Sequence, residues 1–309
     1  MTEPKASPAG APRTESKPSA APAPRTVNEP GSFTIGIIAD VHIGPRASFA
    51  GQVRKIGDQA AALTQAFVDD MNGRLKPDLV LNLGDVVQEE GRAKDIPRYR
   101  QIFEILSGLD APHYPVVGNH DLIDMRTEDL LEIWSGLPNM KGLGALEERR
   151  LYYSFKAGPL TFIVLHSQEK KDSHIWIEDD QVAWFEQELA AAVGPVMVVV
   201  HHSLADQDTS ANHWFGKCPH LALVKNRARV RQLIEESGKV ALVLNGHLHW
   251  NNCTVHAGIG YYTVQSLIEN AGGWEPPRPA RAWSQFHWQG QGYRLEVLGD
   301  DPCLFEPLS

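Results

Sequence analysis

The run Phe33-Thr34-Ile35-Gly36-Ile37-Ile38-Ala39, followed at once by Asp40-Val41-His42-Ile43-Gly44-Pro45, decides the fold. Its first half is short, apolar and β-rich, which marks a buried strand, and its second half is a polar loop punctuated by Gly and Pro. The pattern returns along the chain. Asp78-Leu79-Val80-Leu81-Asn82-Leu83 meets Gly84-Asp85, and His113-Tyr114-Pro115-Val116-Val117 meets Gly118-Asn119-His120-Asp121. Val196-Met197-Val198-Val199-Val200 then meets His201-His202, and Val240-Ala241-Leu242-Val243-Leu244 meets Asn245-Gly246-His247-Leu248-His249. Amphipathic segments with helical spacing lie between, at residues 52–74, 96–108, 127–135, 179–192 and 221–237. Alternation of strand and helix predicts a largely parallel sheet, whose ligands bind in the crevice outside the carboxyl ends of the strands. Polar clusters far apart in sequence can therefore meet.

Residues 151–166, 253–266 and 282–298 read instead as hairpins, turning at Ala157-Gly158-Pro159, Ala257-Gly258-Ile259-Gly260 and Gly290-Gln291-Gly292. They add a second sheet. The expected fold class is α/β, with two mixed sheets packed face to face and helices outside, although periodicity alone fits a three-layer fold as well.

With 309 residues the chain is long enough for one folded domain plus a tail. Residues 1–31 are rich in Ala, Pro, Ser and Thr and bury too little apolar surface to offset ordering entropy, so they read as a disordered tail before a single domain at 32–309. The balance of 29 basic against 38 acidic residues gives a net charge of −9. Such a surface repels nucleic-acid polymers and anionic membranes, and no cluster of Lys and Arg overrides it. A small anionic substrate stays compatible, because cations in a site reverse the local field. Three cysteines without CxxC spacing argue against a disulfide framework or a structural zinc knot. No stretch resembles a signal peptide or a membrane span, so the expected location is cytoplasmic.

Each strand-end cluster has a bland reading beside a chemical one. Asp40 and His42, two apart in a loop, suit a metal site or a capping pair. Gly84-Asp85 presents a carboxylate able to bridge two cations, or simply ends a strand in a turn. Gly118-Asn119-His120-Asp121 is more specific, offering an amide oxygen for a hard cation, an imidazole for proton transfer and an adjacent carboxylate. Of His201 and His202, strand alternation lets one face a site, and His201 is the choice, with His202 read as a packed or supporting histidine. Gly246-His247-Leu248-His249 puts two imidazoles on one side of an extended segment. Bland explanations for all five clusters together are improbable.

The ordered set Asp-x-His, Gly-Asp, Gly-Asn-His-Asp, His-His, Gly-His-x-His closely resembles the calcineurin-like metallophosphoesterase superfamily, from residue 33 to about residue 300. The resemblance implies a four-layer α/β/β/α catalytic domain with two metal ions at the strand ends. It gives one metal to Asp40, His42 and His249, the other to Asn119, His201 and His247, and the bridge to Asp85. His120 matches the family histidine that donates a proton or stabilises the transition state. Mixed nitrogen and oxygen ligands suit Mn, Fe, Zn or Co better than Ca. Two cations about 3.5 to 4 Å apart lower the pKa of a shared water and clamp phosphoryl oxygens.

The sequence departs from the family pattern in two places. Gln88 stands where many members carry an acidic residue three positions after the bridging Asp, and Asp121 is the expected substitute partner of His120. His166 stands where a family strand usually ends in Asp, and reads as a supporting residue or a substrate contact.

Substrate-contact candidates are His213 and Trp214, in a stretch at 204–220 that suits a lid or a satellite core, and Arg278, in a Gly/Pro-rich stretch at 271–281. The sequence between motifs resembles bacterial phosphodiesterases acting on cyclic nucleotides and other small diesters. The expected activity is metal-dependent hydrolysis of a small-molecule phosphodiester. A nucleotide pyrophosphatase or phosphomonoesterase is the enzymatic alternative, and a catalytically silent scaffold of the same fold the non-enzymatic one.

Overall fold

The structure is a computed structural model that describes residues 32–140, 143–170, 173–290 and 292–306. The tail expected at 1–31 lies outside the described residues.

The first half of the chain runs β1 (Ser32–Ile38), β2 (Arg46–Phe49), β3 (Gln52–Ile56), α1 (Ala60–Asp70), β4 (Leu79–Asn82), α2 (Arg92–Leu106), β5 (His113–Pro115), α3 (Thr127–Ser135) and α4 (Gly144–Glu148). The second half runs β6 (Tyr153–Ala157), β7 (Leu160–Leu165), β8 (Gln168–Glu169), β9 (Ile175–Trp176), α5 (Asp179–Ala191), β10 (Val196–Val200), α6 (Arg227–Ser237), β11 (Val240–Asn245), β12 (Asn252–His256), β13 (Ile259–Thr263), β14 (Trp283–Gln289), β15 (Gly292–Leu298) and β16 (Cys303–Phe305). Two six-stranded sheets carry the fold, ordered β16-β15-β14-β1-β4-β5 and β12-β13-β11-β10-β7-β6. Both are mixed. In the first, β1, β4 and β5 run parallel and β14 pairs antiparallel with β1. In the second, β7, β10, β11 and β13 run parallel, with antiparallel β6 and β12 at the edges.

Alternation along the apolar strands creates the layers. Phe162 and Val164 of β7, Met197 and Val199 of β10, and Leu242 and Leu244 of β11 join Ile35, Ile37 and Phe286 in the core between the sheets. Their neighbours Ile163, Leu165, Val196, Val198, Val200 and Val243 turn the other way, onto Phe185 and Leu189 of α5 and Val230 and Ile234 of α6. These strands are covered on both faces and so read as continuous apolar runs. Each fully buried side chain of this kind contributes about 1.5 to 3 kcal/mol. The result is the expected α/β/β/α sandwich.

Three expected elements differ. Residues 52–56 form β3, not the start of a helix, because Gly51 at φ 82° turns a hairpin and the backbone bonds across to a distant segment, Ile56 N to Ile268 O (3.1 Å) and Asn270 N to Arg54 O (2.6 Å). Helix α6 begins at Arg227 rather than near 221, since Val224 N and Lys225 N are bonded to Ser203 O and Ile175 O. The 282–298 hairpin joins the first sheet through β1, while the other two hairpins join the second. Among the described residues no helix is long and apolar enough to cross a membrane.

Candidate metal centre

The loops leaving β1 and β4 continue to pair beyond their strands. Asp40 N donates to Gly84 O (3.1 Å), His42 N to Asp85 O (2.9 Å) and Ile43 N to Val86 O (2.8 Å). Within the second sheet Gly246 N donates to His201 O (3.2 Å), and across the sandwich His247 N donates to both oxygens of Asp40 (2.9 and 3.1 Å). All these clusters follow the carboxyl ends of parallel strands, so they meet at one end of the two packed sheets. Asp40, His42, Asp85, His247 and His249 all have positive φ, from 42° to 68°. Such conformations cost about 1 to 3 kcal/mol each in non-glycine residues and persist only where the surroundings over-determine them. The glycines in the motifs allow close approach: a Cβ at Gly118 would land on Asp85 Oδ1, and one at Gly246 would come within 2.7 Å of Asp40 Oδ2.

Donor atoms converge in overlapping groups, Asp40–His42–His249, His42–Asp85–His120, Asp40–Asp85–His201 and His201–His202–His247, each with its atoms within 4.8 Å of one another. Asp85 Oδ2 stands between two of them, 3.6 Å from His42 Nε2 and 3.3 Å from His201 Nε2. Outward bonds fix the tautomers. His201 Nδ1 donates to Leu83 O (2.7 Å), His247 Nε2 to Leu221 O (2.8 Å) and His249 Nδ1 to Glu269 Oε2 (2.9 Å), so the opposite nitrogen of each is the one turned to the centre. Asn119 gives its amide N–H to Glu169 Oε2 (2.9 Å). Its Oδ1, together with His201 Nε2 and His247 Nδ1, is buried without a hydrogen-bond partner among the described residues. Buried polar atoms are seldom left so, and unpartnered nitrogens within one donor cluster, as on His201 and His247, are what a cation site requires.

The charges divide between groups already in a ligand's protonation state and groups that a cation would have to deprotonate. Burial opposes ionisation of Asp85, yet His201, His120 and His42 hold it well below the usual carboxylate range. Burial likewise opposes the charge on His201, but Asp85 overcomes this and raises it to about 9, so without a cation Nε2 holds a proton toward Asp85 that a bound ion would displace. Burial pushes His42 and His247 well below the ordinary imidazole value, keeping them neutral as ligands must be. Asp40 is raised by its burial, with His249 and His201 pulling against it.

His120 sits on a 3-10 turn, its N–H on Asp85 Oδ1 (2.9 Å) and its Nε2 3.9 Å from Asp85 Oδ2. Its Nδ1 bonds to Glu89, not to Asp121. The acidic partner that Gln88 fails to supply is thus one residue further on, and Gln88 Nε2 donates to that same Glu89 (2.8 Å). Asp121 does not reach the reacting side. Its oxygens accept from the backbone amides of Asp85 (3.0 Å), Val86 (2.7 Å), Val87 (3.3 Å) and Gly118 (3.0 Å). Burial and the nearby Asp85 raise it to about 7. Asp121 is a positioning residue that locks the two loops together.

His202 is fully buried beside His201 and His247. Its Nδ1 meets Ser167 Oγ (2.7 Å) while Nε2 has no partner among the described residues, and its ring lies 4.1 Å from that of His247. His166 is buried, with its backbone bonded twice to Gln181 (2.8 Å each), in a supporting position.

Beside His249 opens a cavity of about 270 Å³, walled by Arg54, His213, Trp214, Trp250 and Trp274. His213 and Trp214 therefore reach the neighbourhood of the centre. Arg278 does not line it, because its guanidinium stacks on Trp274 (4.3 Å) and pairs with Asp300 (3.3 Å). Sequence reading missed Lys55, Glu89 and Glu269. Glu269 binds Arg54 (2.8 Å), His249 and Trp214 Nε1 (3.2 Å), and no local pattern announced contacts so distant in sequence.

A sandwich of two mixed sheets with Asp and His donors gathered at the strand ends defines a metallophosphoesterase. The calcineurin-like phosphoesterase family model matches residues 33–251, and the chain belongs to that family of hydrolases. A probable cyclic nucleotide phosphodiesterase of Psychrobacter arcticus is 26% identical over 196 residues, 63% of this chain and 65% of that relative. The match thus spans just under two thirds of the relative's length. A dimetal phosphatase from Danio rerio superposes with a TM-score of 0.70 at 15% identity, covering 89% of this chain and 99% of that one. A purple acid phosphatase from yellow lupin superposes with a TM-score of 0.60 at 14% identity, covering 89% of this chain and 53% of that one. Both are likenesses of fold.

Proposed function

We propose that the protein hydrolyses small phosphodiesters, cyclic nucleotides among them. In this reading Asp40, His42 and His249 would hold one divalent or transition-metal ion and Asn119, His201 and His247 another, with Asp85 available to both groups. The observation that carries it is the convergence of the Asp and His donors in overlapping groups that share Asp85, with buried unpartnered atoms at Asn119 Oδ1, His201 Nε2 and His247 Nδ1. When bound, the ions would supply an activated water and charge neutralisation for an in-line displacement. His120 faces the same point, and its bond to Glu89 orients the ring so that Nε2 carries a proton to the departing oxygen. Asp121 and the paired loops keep these groups in register, so the chain reorganises little at the reacting centre.

A diester carries a second substituent on phosphorus that needs a place. The cavity beside His249, with its Trp walls, offers one suited to a flat ring, and the name of the Psychrobacter relative supports the same class. The test is hydrolysis of bis-p-nitrophenyl phosphate beside p-nitrophenyl phosphate, with manganese and after chelation, in wild type and Asp85→Ala. Metal-dependent diester cleavage that disappears in the variant is expected. Faster turnover of the monoester would move the assignment to a phosphomonoesterase, and no turnover of either by metal-loaded protein would favour a scaffold.

A further inference from the structure

Lys55 is the least explained side chain of the centre. It projects from β3, is 6% exposed, and is fixed by the bridge that Lys55 makes with Glu269 in the neighbouring segment. Its Nζ lies 3.2 Å from Gln88 Oε1, 3.4 Å from His42 Nδ1 and 3.4 Å from His120 Nε2, and 5.0 Å from the centre of the Trp214 ring. It forms no ion pair among the described residues. Asp85, Glu89, Glu269 and Asp40 act on its charge from beyond ion-pair distance, and a buried amine without a direct carboxylate contact is costly.

The hydrogen-bond inventory around it does not close. His42 Nε2 faces Asp85 Oδ2 and His249, so holding a cation through Nε2 leaves the His42 proton on Nδ1. A donor then faces Lys55, whose ammonium form is itself only a donor; burial lowers the pKa of that group, with Asp85, Glu89, Glu269 and Asp40 pulling against it. The same conflict arises at His120 whenever Nε2 is protonated. Gln88 Oε1 is left as the one protein acceptor of the three contacts, and the remaining Lys55 N–H groups meet the donors of His42 and His120. Donors that converge without an acceptor between them form a seat for an anion.

Resting on the two-metal reading above, we propose that Lys55 is a further catalytic residue: its Nζ binds an oxygen of the phosphoryl group between His42 and His120, and so contributes to anion affinity and to turnover. The contact forms no covalent bond; it balances charge on the phosphoryl oxygens while His120 delivers the proton to the leaving oxygen. Trp214, stacked under the ammonium, limits its reach to that side.

The experiment compares wild type, Lys55→Met and Lys55→Arg in the manganese-loaded full chain. Binding of inorganic phosphate is read by calorimetry, metal content by elemental analysis and stability by thermal unfolding. Lys55→Met should keep its metal and melt no lower than wild type, since it removes a buried charge, yet bind phosphate about tenfold or more weakly. Its kcat/KM on bis-p-nitrophenyl phosphate should fall by a comparable factor, and Lys55→Arg should recover part of both. Phosphate binding by Lys55→Met at the wild-type level would overturn the proposal, as would loss of metal or a lowered melting temperature, which would mark Lys55 as a structural support of His42. If wild type binds phosphate through Lys55 but cleaves no ester, the anion seat stands and the hydrolase reading fails.

Discussion

His113 allows the link between burial and acid stability to be measured apart from the catalytic centre. It opens β5, is 1% exposed, and packs its ring 5.5 Å from that of Phe103. Neither ring nitrogen has a hydrogen-bond partner among the described residues. Burial alone lowers its pKa from 6.5 to about 3. The folded protein therefore keeps His113 neutral while the unfolded chain protonates it below 6.5. Between these values the unfolded state binds more protons, so stability rises with pH and is lost as pH falls. Acidification from about pH 7.5 to about pH 5 should cost about 1.5 pH units at 1.36 kcal/mol each, or about 2 kcal/mol, from this residue. His113→Leu, of similar volume and without buried nitrogens, removes that loss and should add about 1 to 2 kcal/mol near neutrality. Equilibrium urea unfolding of chelated wild type and variant at both pH values measures the double difference. His42, His166, His202 and His247 are also depressed by burial, but they act equally in both proteins. Equal acid losses in wild type and His113→Leu would refute the reasoning.

Further outcomes are expected at the centre. Gly118→Ala would press a methyl onto Asp85 and should abolish metal uptake while leaving a folded chain, read by elemental analysis beside circular dichroism. Glu89→Gln should lower kcat about 10- to 100-fold with metal content unchanged, because His120 loses the carboxylate that orients it; an unaltered kcat would remove Glu89 from the mechanism. Asp121→Ala strips the acceptor from four loop amides and should destabilise the protein by several kcal/mol, so a melting temperature within a degree or two of wild type would contradict its positioning role. Trp214→Ala should raise KM for aromatic diesters more than for methyl-substituted ones, and an equal rise for both would exclude the cavity as the site of the second substituent.

Motif order made the family legible because its requirements are local. A donor residue must leave a strand end at once, and a glycine must stand where a Cβ would strike a carboxylate, as at Gly118 and Gly246, so residue type and spacing are written within a few positions. The continuous apolar runs of β7, β10 and β11 likewise announced strands covered on both faces. Other features had no local signature. Lys55 lies in a hairpin that reads as helix by periodicity and is a strand only because residues 268–270, far along the chain, bond to it. Glu89 and Asp121 are both carboxylates near a histidine, and nothing in their spacing distinguishes the one that meets His120 from the one that captures loop amides. Arg278 looked free in sequence and is occupied by Asp300 and Trp274.

The sequence by itself therefore determined the strands, the family and the set of metal-binding residue types, because each rests on backbone conformation and chemistry within one loop. Only the tertiary structure decided which carboxylate orients His120, which cation faces the reacting point and which aromatic rings wall the cavity. Those assignments depend on distances between segments as far apart as Arg54 and Glu269, separated by 215 positions, and such distances are set by the packing of the two sheets rather than by any run of residues.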